Sequence, residues 1–494
     1  MAPTPTNPLR VVIVGAGFCG LTAAIECKLR GLHPILVEAY PGPSSHGDLL
    51  DFVRNAGRVF ESWDGGKVGR RLMAAGVNAA KNLEFYNAQD VLLRKDPWPQ
   101  ATDDDCVYAG HRGEMHRIVH EYAVEIGVDM RFGKRVIQHL DTDAERGVVV
   151  VANRKGDELH EKEKILGDVV LACDGPRSLA RSQLLQLPES RVNSGYAIFR
   201  AYFNITDEMR QLPHFGGMIS SSEDRVRFWV GRDMHGFIYT WNHGRDCAWV
   251  LTHLDDADIA ETWSFPGKKE DVARYLTDAG FPPIWHEVLG VSPADRIIDY
   301  KLVWRDPVPT WLSASKKCAV MGDAAHCHLP TSAQGACQAV EDAVTAAICL
   351  QKCNDSNGDI SVAEGLQVFE RIRFNRSHVI HQASILTRNI YHKNSWTPEL
   401  VREFPDSLVI PFYPWITDFD VFSNAEEHFD GLLRDVRSGK EGTLEELALP
   451  AGGDYSAMLL EKRGPKEEER QGKREQVVVV AGDVVAGDVV EVQS

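Results

Sequence analysis

The stretch VVIVGAGFCGL, residues 11–21, decides the fold of this chain. Its first residues are β-branched and apolar, as a buried parallel strand requires. Gly15, Gly17 and Gly20 then follow the spacing G-x-G-x-x-G. In that spacing the first glycine permits a tight turn, the second lets the backbone approach a pyrophosphate, and the third lets a helix pack closely on the strand. The stretch therefore predicts a strand, a phosphate-binding turn and a helix.

The next residues complete a βαβ unit. Residues 21–31 predict a helix with an apolar face and a terminal glycine, and residues 34–38 predict the second strand. Glu38 lies 18 residues beyond Gly20, where an acid binds the adenosine ribose of a dinucleotide. The free N–H groups at the helix N-terminus suit the pyrophosphate. A glycine fingerprint alone is weak evidence, but the two strands and the acid together predict dinucleotide binding.

Two later segments have the same form, a buried strand that ends in an acidic turn. DVVLACDGPRS, residues 168–178, reaches Asp174, and CAVMGDAAHCHLPTSAQG, residues 318–335, reaches Asp323. A plain turn at a strand end is the alternative in both places. At these separations the three segments predict one dinucleotide-binding domain whose parts are spread over about 330 residues.

Composition excludes several classes of protein. A length of 494 residues with 44% hydrophobic residues allows two or three domains with large cores. The net charge of −17 argues against a nucleic-acid partner, because proteins bind nucleic acid through basic patches. We expect no membrane span, because no run of 18 apolar residues occurs, and no signal peptide, because MAPTPTNPLR has no apolar segment. Ten scattered cysteines suit a reducing, cytoplasmic location. No metal site is expected, since residues 326–328 (His-Cys-His) lack a second ligand pair.

The order of the motifs resembles that of the single-component FAD-dependent aromatic hydroxylases. These are the p-hydroxybenzoate and salicylate hydroxylase-like enzymes, especially the fungal secondary-metabolite monooxygenases. The resemblance covers residues 8–425 and is most specific in GDAAH, residues 322–326, and QGACQAVEDA, residues 334–343. It implies an α/β fold: a Rossmann-like FAD-binding domain of the p-hydroxybenzoate hydroxylase type, a second, mainly antiparallel β-sheet substrate domain, and C-terminal helices. Ala39 and Cys327 depart from residues common in the family.

The resulting division of the chain has five parts. We expect a mainly helical stretch at 48–130, a long helix at 333–352 and another at 362–395. The predicted parts are the first FAD-binding portion (8–184), the substrate sheet domain (185–310), the returning FAD-binding portion (311–385), a C-terminal helical region (386–460) and a disordered tail (461–494).

The resemblance also assigns cofactor-binding residues. Arg112, in HRGEMHRIV, would contact an FAD phosphate or ribityl oxygen, which suits a guanidinium. Asp174 would link the pyrophosphate region to the nicotinamide path, and Asp323 would accept hydrogen bonds from ribityl hydroxyls. Ala336 would lie against the cofactor at the helix start. Asn55 and Arg58 resemble a helix start near the flavin.

The loop before the long helix carries residues expected at the reaction centre. Pro330 stiffens the loop, and Gly335 would allow close approach of flavin and dioxygen. Thr331 or Ser332 is the expected N-cap of the helix. Glu341 and Asp342, within the helix, are expected to be structural rather than catalytic. The alternative is a plain buried turn before a core helix.

Two residues of the second domain are the expected substrate contacts. Arg200, in GYAIFRAYF, and Tyr239, in GRDMHGFIYTWNH, match pocket residues of the resembling enzymes. A phenol reacts faster as phenolate, and an arginine with a tyrosine could stabilise that anion. Alternatively, both are ordinary sheet residues with satisfied polar groups. Trp415 and Asp418 match a C-terminal element that is expected to be structural.

The implied activity is that of a flavin-dependent monooxygenase. NADPH or NADH would transiently reduce tightly bound FAD, and dioxygen would then form a flavin hydroperoxide that hydroxylates an electron-rich aromatic substrate of the phenolic polyketide type. Epoxidation of an indole or alkene followed by rearrangement stays open, as do an FAD-dependent oxidase and a reductase. A halogenase is disfavoured because the Trp-x-Trp-x-Ile-Pro segment is missing, and an escort protein is disfavoured because Asp323, Pro330 and Gly335 are present. The expected assembly is a monomer or homodimer.

Overall fold

The described part of the chain combines three larger β-sheets with two long helices. The computed structural model describes residues 8–43, 47, 49–99, 106–141, 147–155, 158–187, 191–219, 222–255, 265–305 and 308–440. The tail predicted at 461–494 lies outside these residues. The strands are β1 (Arg10–Val14), β2 (His33–Val37), β3 (Leu49–Phe52), β4 (Asn82–Asn87), β5 (Leu92–Pro97), β6 (Tyr108–His111), β7 (Asp129–Arg131), β8 (Lys134–Leu140), β9 (Gly147–Lys155), β10 (Glu158–Gly167), β11 (Val169–Ala172), β12 (Arg191–Asn204), β13 (Val226–Gly231), β14 (Met234–Trp241), β15 (Asp246–Leu254), β16 (Ile298–Arg305) and β17 (Cys318–Val320).

The two longest helices differ in the residues that precede their first turn. The long helix at the flavin-loop motif has Gln334 as its N-cap, and the longest helix has a capping box formed by Ser361 and Glu364. The helices are α1 (Phe18–Leu29), α2 (Arg54–Ser62), α3 (Lys67–Ala74), α4 (Arg112–Glu125), α5 (Leu179–Leu184), α6 (Phe215–Ile219), α7 (Lys269–Asp278), α8 (Pro283–Val291), α9 (Gly335–Asp355), α10 (Val362–Lys393), α11 (Pro398–Glu403), α12 (Pro414–Thr417) and α13 (Val421–Arg437).

A five-stranded parallel sheet forms the first layer. Its strand order is β17-β11-β1-β2-β7, so segments separated by about 150 residues lie side by side. β1, β2 and β11 consist almost entirely of buried apolar residues, as strands covered on both faces require. Helices α1 and α9 pack together. This arrangement confirms that the three strand-and-turn segments build one domain of the dinucleotide-binding type.

A seven-stranded sheet forms the second layer. Its order is β16-β12-β15-β14-β13-β4-β5, and every pair is antiparallel except β13 with β4. One face packs against α7 and α8 through residues such as Phe199 and Trp285, and the other packs against α10 through residues such as Tyr239 and Ile380. The second face is therefore the side turned toward the helices that follow the flavin-loop motif.

The expectation of a mainly helical stretch at 48–130 is wrong. That stretch holds strands β3 to β6 as well as helices α2 to α4, and β4 and β5 extend the seven-stranded sheet. In β4 the buried residues alternate, with Leu83 and Phe85 pointing inward and Glu84 pointing toward the surface. That period of two is the strand signal that outweighed the helical interpretation.

Two long helices lie close to their predicted positions. α9 begins two residues later than expected and extends three residues further, and α10 ends two residues earlier than expected. α10 runs without a break across 385–386, the expected edge between the returning FAD-binding portion and the helical region. It contacts α9 at one end and strands β13 and β14 at the other, so it connects the two layers.

Candidate functional site

The glycine fingerprint forms an open cradle at the end of β1. Gly15 has φ +100°, and a Cβ there would lie 2.5 Å from the Cys173 carbonyl oxygen. A Cβ on Gly20 would collide with the Gly15 carbonyl oxygen, so only glycine lets α1 approach β1 this closely. Gly17 is exposed, and a Cβ on it would meet no atom of the described chain within 4 Å. The backbone at Gly17 is thus accessible to a phosphate.

Glu38 lies beside this cradle, immediately after β2. Its Oε2 accepts a hydrogen bond from the Ala16 N–H at 2.7 Å, and its Oε1 accepts one from the Tyr40 N–H at 2.8 Å. Ala16 is the middle residue between the first two glycines of the fingerprint. The carboxylate is therefore held where an acid can bind a ribose hydroxyl next to the pyrophosphate.

Asp174 lies on the other side of the cradle, after β11. Its Oδ2 accepts hydrogen bonds from the N–H groups of Leu179 at 2.9 Å and Ala180 at 3.4 Å, which belong to the start of α5. Its Oδ1 is buried and has no hydrogen-bond partner within the described residues. One oxygen thus fixes the turn, and the other is left without a partner in the described residues, as a ligand-binding oxygen would be.

Asp323 follows β17, and its carboxyl lies in the electrostatic field of Arg112. Burial raises the pKa of Asp323, and the charges of His326, Arg112 and Arg305 oppose that rise. Arg112 begins α4, is exposed, and places its guanidinium carbon 5.9 Å from the centre of the Phe18 ring, in the first turn of α1. Both predicted cofactor contacts therefore lie next to the fingerprint helix.

The loop before α9 differs from the expectation at its cap. Residues 330–332 form a separate short 3-10 turn, Ala333 has φ +52°, and the N-cap is Gln334. The prediction of Thr331 or Ser332 as N-cap is therefore wrong. The Thr331 hydroxyl instead donates to the Ser384 carbonyl of α10. The turn ends before α9 begins because the left-handed residue reverses the chain between them.

Pro330, Gly335 and Ala336 surround the start of α9. Pro330 is exposed, while Gly335 and Ala336 are half-buried. A Cβ on Gly335 would meet no atom of the described chain within 4 Å. The first turn of α9 is thus open on the side of Gly335, as the prediction for close approach of a ligand requires.

Buried polar groups without partners surround the same helix start. The Asn55 amide donates to the side-chain oxygens of Gln334 at 3.0 Å and Glu341 at 2.5 Å. Within the described residues, Asn55 Oδ1, Ser332 Oγ and Gln334 Nε2 are buried and have no hydrogen-bond partner. Buried polar atoms normally find partners, because leaving one unpaired costs about 1–3 kcal/mol. These atoms fit a ligand with a polar ring edge, which is what a flavin offers.

Beneath the helix start lies a fully buried ionic network. Arg373 donates to Asp342 at 2.8 Å, and Arg376 donates to Glu341 at 2.8 Å. His326 lies 2.6 Å from Asp342. Burial disfavours the ionised form of Asp342, but the charges of His326 and Arg373 outweigh it and lower the pKa of Asp342 to about 2. The network ties α9 to α10, in line with the structural role predicted for Glu341 and Asp342.

The C-terminal element attaches to the same region. Arg54 pairs with Asp418 at 2.9 Å, and Arg58 donates to the Asp418 carbonyl at 3.0 Å. The Trp415 carbonyl accepts a hydrogen bond from Arg376 at 2.9 Å. Arg58 thus contacts the C-terminal element rather than the helix start near Gln334, whereas Asn55 reaches that helix start.

Arg200 and Tyr239 lie on the face of the seven-stranded sheet that is turned toward α10. Tyr239 on β14 is opposite Ala248 of β15, and Ala248 is opposite Tyr202 of β12. Arg200, two residues before Tyr202, points to the same side and lies 5.7 Å from the centre of the Tyr300 ring. One strand separates β12 from β14, and Arg200 is offset by two residues along its strand from the row of Tyr239, so the two residues stand roughly 12 Å apart. They lie on either side of β15 on the same face of the sheet.

Asp51 is the site residue that sequence reasoning missed. It lies on β3, and its backbone carbonyl is 3.9 Å from the Cys337 thiol in the first turn of α9. The Tyr239 hydroxyl lies near its carboxyl, but Tyr239 Oη and Asp51 Oδ1 form no hydrogen bond within the described residues. Burial raises the pKa of Asp51 to about 7, although the Tyr239 hydroxyl opposes the rise. Burial, followed by the charge of Asp51, also raises the pKa of Tyr239 well above its ordinary value. An acid inside the apolar run LLDF was the available signal.

Comparison with known proteins agrees with this geometry. The model of the FAD binding domain family matches residues 8–361. The chain belongs to this family. It is 29% identical over 468 residues to the FAD-dependent monooxygenase nanF of Aspergillus nanangensis, covering 92% of this chain and 96% of that protein. It is 28% identical over 447 residues to asperlicin C monooxygenase of Petromyces alliaceus, covering 89% and 92%.

A solved structure extends the likeness to three dimensions. The crystal structure of CtdE in complex with FAD and substrate 4 matches with a TM-score of 0.77 and 27% identity, covering 87% of this chain and all of that chain. The protein is therefore a flavin-dependent monooxygenase of the fungal secondary-metabolite type, and FAD is its cofactor. None of the helices in the described ranges is long and apolar enough to cross a membrane. In the same ranges no group of three or more His, Cys, Asp or Glu side chains is arranged to hold a metal.

Proposed function

We propose that this enzyme uses NADPH or NADH and dioxygen to hydroxylate an electron-rich aromatic ring of the phenolic polyketide type. One observation carries the proposal: Arg200 and Tyr239 lie on the same sheet face, with Asp51 beside Tyr239 and next to the first turn of α9. A cation, a phenol and a carboxyl would thereby act on one bound substrate. That is the set of groups needed to bind and ionise a phenol.

Bound FAD supplies the redox chemistry and the activation of dioxygen. The cradle at Gly17 would hold its pyrophosphate, and Glu38 its adenosine ribose. Arg112 and Asp323 would contact the phosphate and ribityl oxygens. The unpaired atoms near Gln334 would hold the polar edge of the ring, and the N-terminus of α9 would stabilise negative charge there.

The residues of the sheet face handle the substrate. Arg200 would attract a phenolate, which lowers the pKa of the bound phenol. Tyr239 would donate a hydrogen bond to the same oxygen, or take the phenol proton while its own proton passes to the Asp51 carboxylate. The aromatic rings of Tyr202 and Tyr300 would bound the space and limit the entry of water. The chain thus orients the ring and controls its proton.

Anaerobic mixing of the FAD-loaded protein with NADPH tests the proposal. The flavin absorbance should bleach quickly with a phenol that binds and slowly without it, and labelled dioxygen should place one labelled oxygen atom in the product. Arg200→Met should slow the phenol-stimulated reaction at least tenfold. Arg225→Met, a change at a half-buried arginine that precedes β13 and pairs with Glu223, is the matched control and should leave it unchanged. Bleaching at one rate with every phenol would contradict the proposal and favour a reductase.

A second candidate activity is epoxidation of an indole or alkene followed by rearrangement. The specific observation is the position of Asp51 beside the first turn of α9, where burial raises its pKa to about 7. A neutral carboxyl can protonate an oxygen as a carbon–oxygen bond opens, a step that phenol hydroxylation does not require. An indole that gives a rearranged mono-oxygenated product, at a rate that falls above about pH 7, would select this activity.

The surroundings of the enzyme are a further part of the proposal. All ten cysteines lie within the described residues, are buried and form no disulfide, which supports a reducing, cytoplasmic location. The partner we expect is a small aromatic molecule. The proposed assembly is a monomer or a homodimer, and light scattering on the FAD-loaded protein measures which.

A further inference from the structure

The buried ionic network fixes the orientation of three side-chain amides beside it. The amides belong to Asn55, Gln334 and Gln338, which are at most 1% exposed. An amide group can be turned over without a change of shape, so its orientation depends on its hydrogen-bond partners. A guanidinium can only donate hydrogen bonds, and an ionised carboxylate can only accept them. An amide that contacts one of these ions therefore has one orientation.

Gln338 lies between Arg373 and Glu341. Its Oε1 accepts a hydrogen bond from Arg373 Nη2 at 2.7 Å, and its Nε2 donates to Glu341 Oε1 at 3.0 Å. Burial disfavours the ionised form of Glu341, but the charges of Arg376 and Arg373 outweigh it and lower the pKa of Glu341. The reverse orientation would place the NH2 group of Gln338 against the guanidinium and its oxygen against the carboxylate. The ions thus fix the positions of both amide atoms.

Asn55 is oriented by the same carboxylate. Its Nδ2 donates to Glu341 Oε1 at 2.5 Å and to Gln334 Oε1 at 3.0 Å. Gln338 Nε2 donates to the same Gln334 oxygen at 3.2 Å. Because both neighbours are donors, the Gln334 atom that they meet has to be the oxygen. The orientation imposed by the ions therefore passes through two amides to a third.

The other end of the Gln334 amide is a hydrogen-bond donor without a partner. Gln334 Nε2 is buried and has no hydrogen-bond partner within the described residues, although buried donors are normally paired. Gln334 is the N-cap of α9, and a Cβ on the next residue, Gly335, would meet no described atom within 4 Å. A ligand beside Gly335 that carries a carbonyl oxygen would supply the missing acceptor.

We propose that the Gln334 amide donates a hydrogen bond to a carbonyl oxygen of the flavin ring. Gln338 and Asn55 are then positioning residues, which keep the NH2 group of Gln334 rather than its oxygen toward the cofactor. The proposal rests on the placement of the flavin ring at the start of α9 proposed above, and it adds control of the redox balance. Reduced flavin carries more negative charge on its pyrimidine ring than oxidised flavin, so a donor there favours the reduced form.

Gln334→Glu tests the donor, because a carboxylate keeps an oxygen toward Asn55 and Gln338 and puts a second oxygen in place of the NH2 group. At pH 8 the variant should bind FAD at least ten times more weakly in a fluorescence titration. The ratio of reduced to oxidised flavin, equilibrated with a reference dye, should fall at least tenfold, which is about 30 mV for a two-electron couple. ADP, which lacks the flavin ring, should bind as tightly as before. Gln334→Met, which has no hydrogen to donate at any pH, should shift both quantities in the same direction.

Gln338→Glu tests the positioning. A charge-assisted bond from the Gln334 NH2 group to this carboxylate outweighs the neutral bond from Asn55, so the Gln334 amide should turn over. The reduced-to-oxidised ratio should then fall at least threefold, although residue 338 does not contact the flavin. Gln338→Met, which adds no charge, should lower the ratio at least twofold. Gln351→Glu is the control, because it makes the same change on the same helix roughly 20 Å further along, and it should leave the ratio unchanged.

The proposal is overturned if both Gln334 variants keep the FAD affinity and the ratio, or if ADP binding weakens as much as FAD binding. It is also overturned if neither Gln338 variant lowers the ratio, or if Gln351→Glu lowers it equally. Flavin bleaching by NADPH is followed in the same samples. Phenol-stimulated bleaching with an unchanged ratio in the Gln334 variants would reject the donor and keep the proposed hydroxylation. The expected shifts without phenol-stimulated bleaching would keep the donor and reject the hydroxylation.

Discussion

Replacing Asp51 with asparagine should stabilise the protein at alkaline pH and hardly at all at acidic pH. Burial raises the pKa of this carboxyl from its ordinary value of 3.8 to about 7. The folded state therefore holds the proton more tightly than the unfolded state, and stability falls as pH rises from about 4 to about 7. The difference between the two pKa values corresponds to at most roughly 4 kcal/mol at pH 8. Asparagine has the same shape and no charge, so the variant avoids this cost.

Thermal unfolding of the FAD-loaded proteins, followed by far-UV circular dichroism, measures the effect. Between about pH 5 and pH 8 the cost of the carboxylate grows by about 2–3 kcal/mol. For a chain of this length that corresponds to roughly 1 °C per kcal/mol, so the Tm advantage of Asp51→Asn should grow by about 2–3 °C. Asp278→Asn, on the exposed end of α7, is the control and should show no such growth. An advantage that is equal at both pH values would refute the reasoning.

Three further changes test other parts of the site. Gly17→Val should leave the fold of the apoprotein unchanged, because a Cβ there meets no described atom, but should weaken FAD binding at least tenfold in a fluorescence titration, whereas Gly20→Ala should lower the Tm itself. Arg373→Met leaves two buried carboxylates short of their guanidinium and should cost roughly 3–5 kcal/mol in urea unfolding, with loss of FAD; an unchanged midpoint would contradict the role given to the network. Tyr239→Phe should keep the Tm but lower the ratio of oxygenated product to NADPH consumed, and a normal ratio would remove Tyr239 from the site.

The glycine fingerprint could be predicted because its glycines meet requirements of the local backbone. Gly15 needs a left-handed φ, Gly20 needs the absence of a side chain, and both needs arise within one turn of chain. The strand pairing around it also followed from sequence, since β11 and β17 are short apolar runs that end in acidic turns. Motifs with a fixed backbone geometry are therefore the part of this fold that sequence reveals.

The neighbours of the site could not be read from local patterns. β4 and β5 lie in a stretch whose local pattern suggests helices. β4 joins the second sheet by pairing with β13, about 140 residues later, and β5 pairs with β4. The raised pKa of Asp51 comes from burial in the folded chain, which the local sequence does not reveal. The N-cap of α9 was misassigned because Thr331 bonds to Ser384 of α10, a contact that the local sequence does not reveal. Tertiary packing, rather than propensity, decided each of these features.

The parallel sheet can be completed only late in the synthesis of the protein. β17, its edge strand, consists of residues 318–320, and it pairs with β11, some 150 residues earlier. A nascent chain that has reached only the second sheet still lacks this strand and the helix that packs on α1. Sheets that depend on such distant pairings form slowly, and their apolar surface stays exposed until the last strand pairs. Recombinant production should therefore benefit from slow translation at low temperature, and amino-terminal fragments that stop before residue 318 should be insoluble.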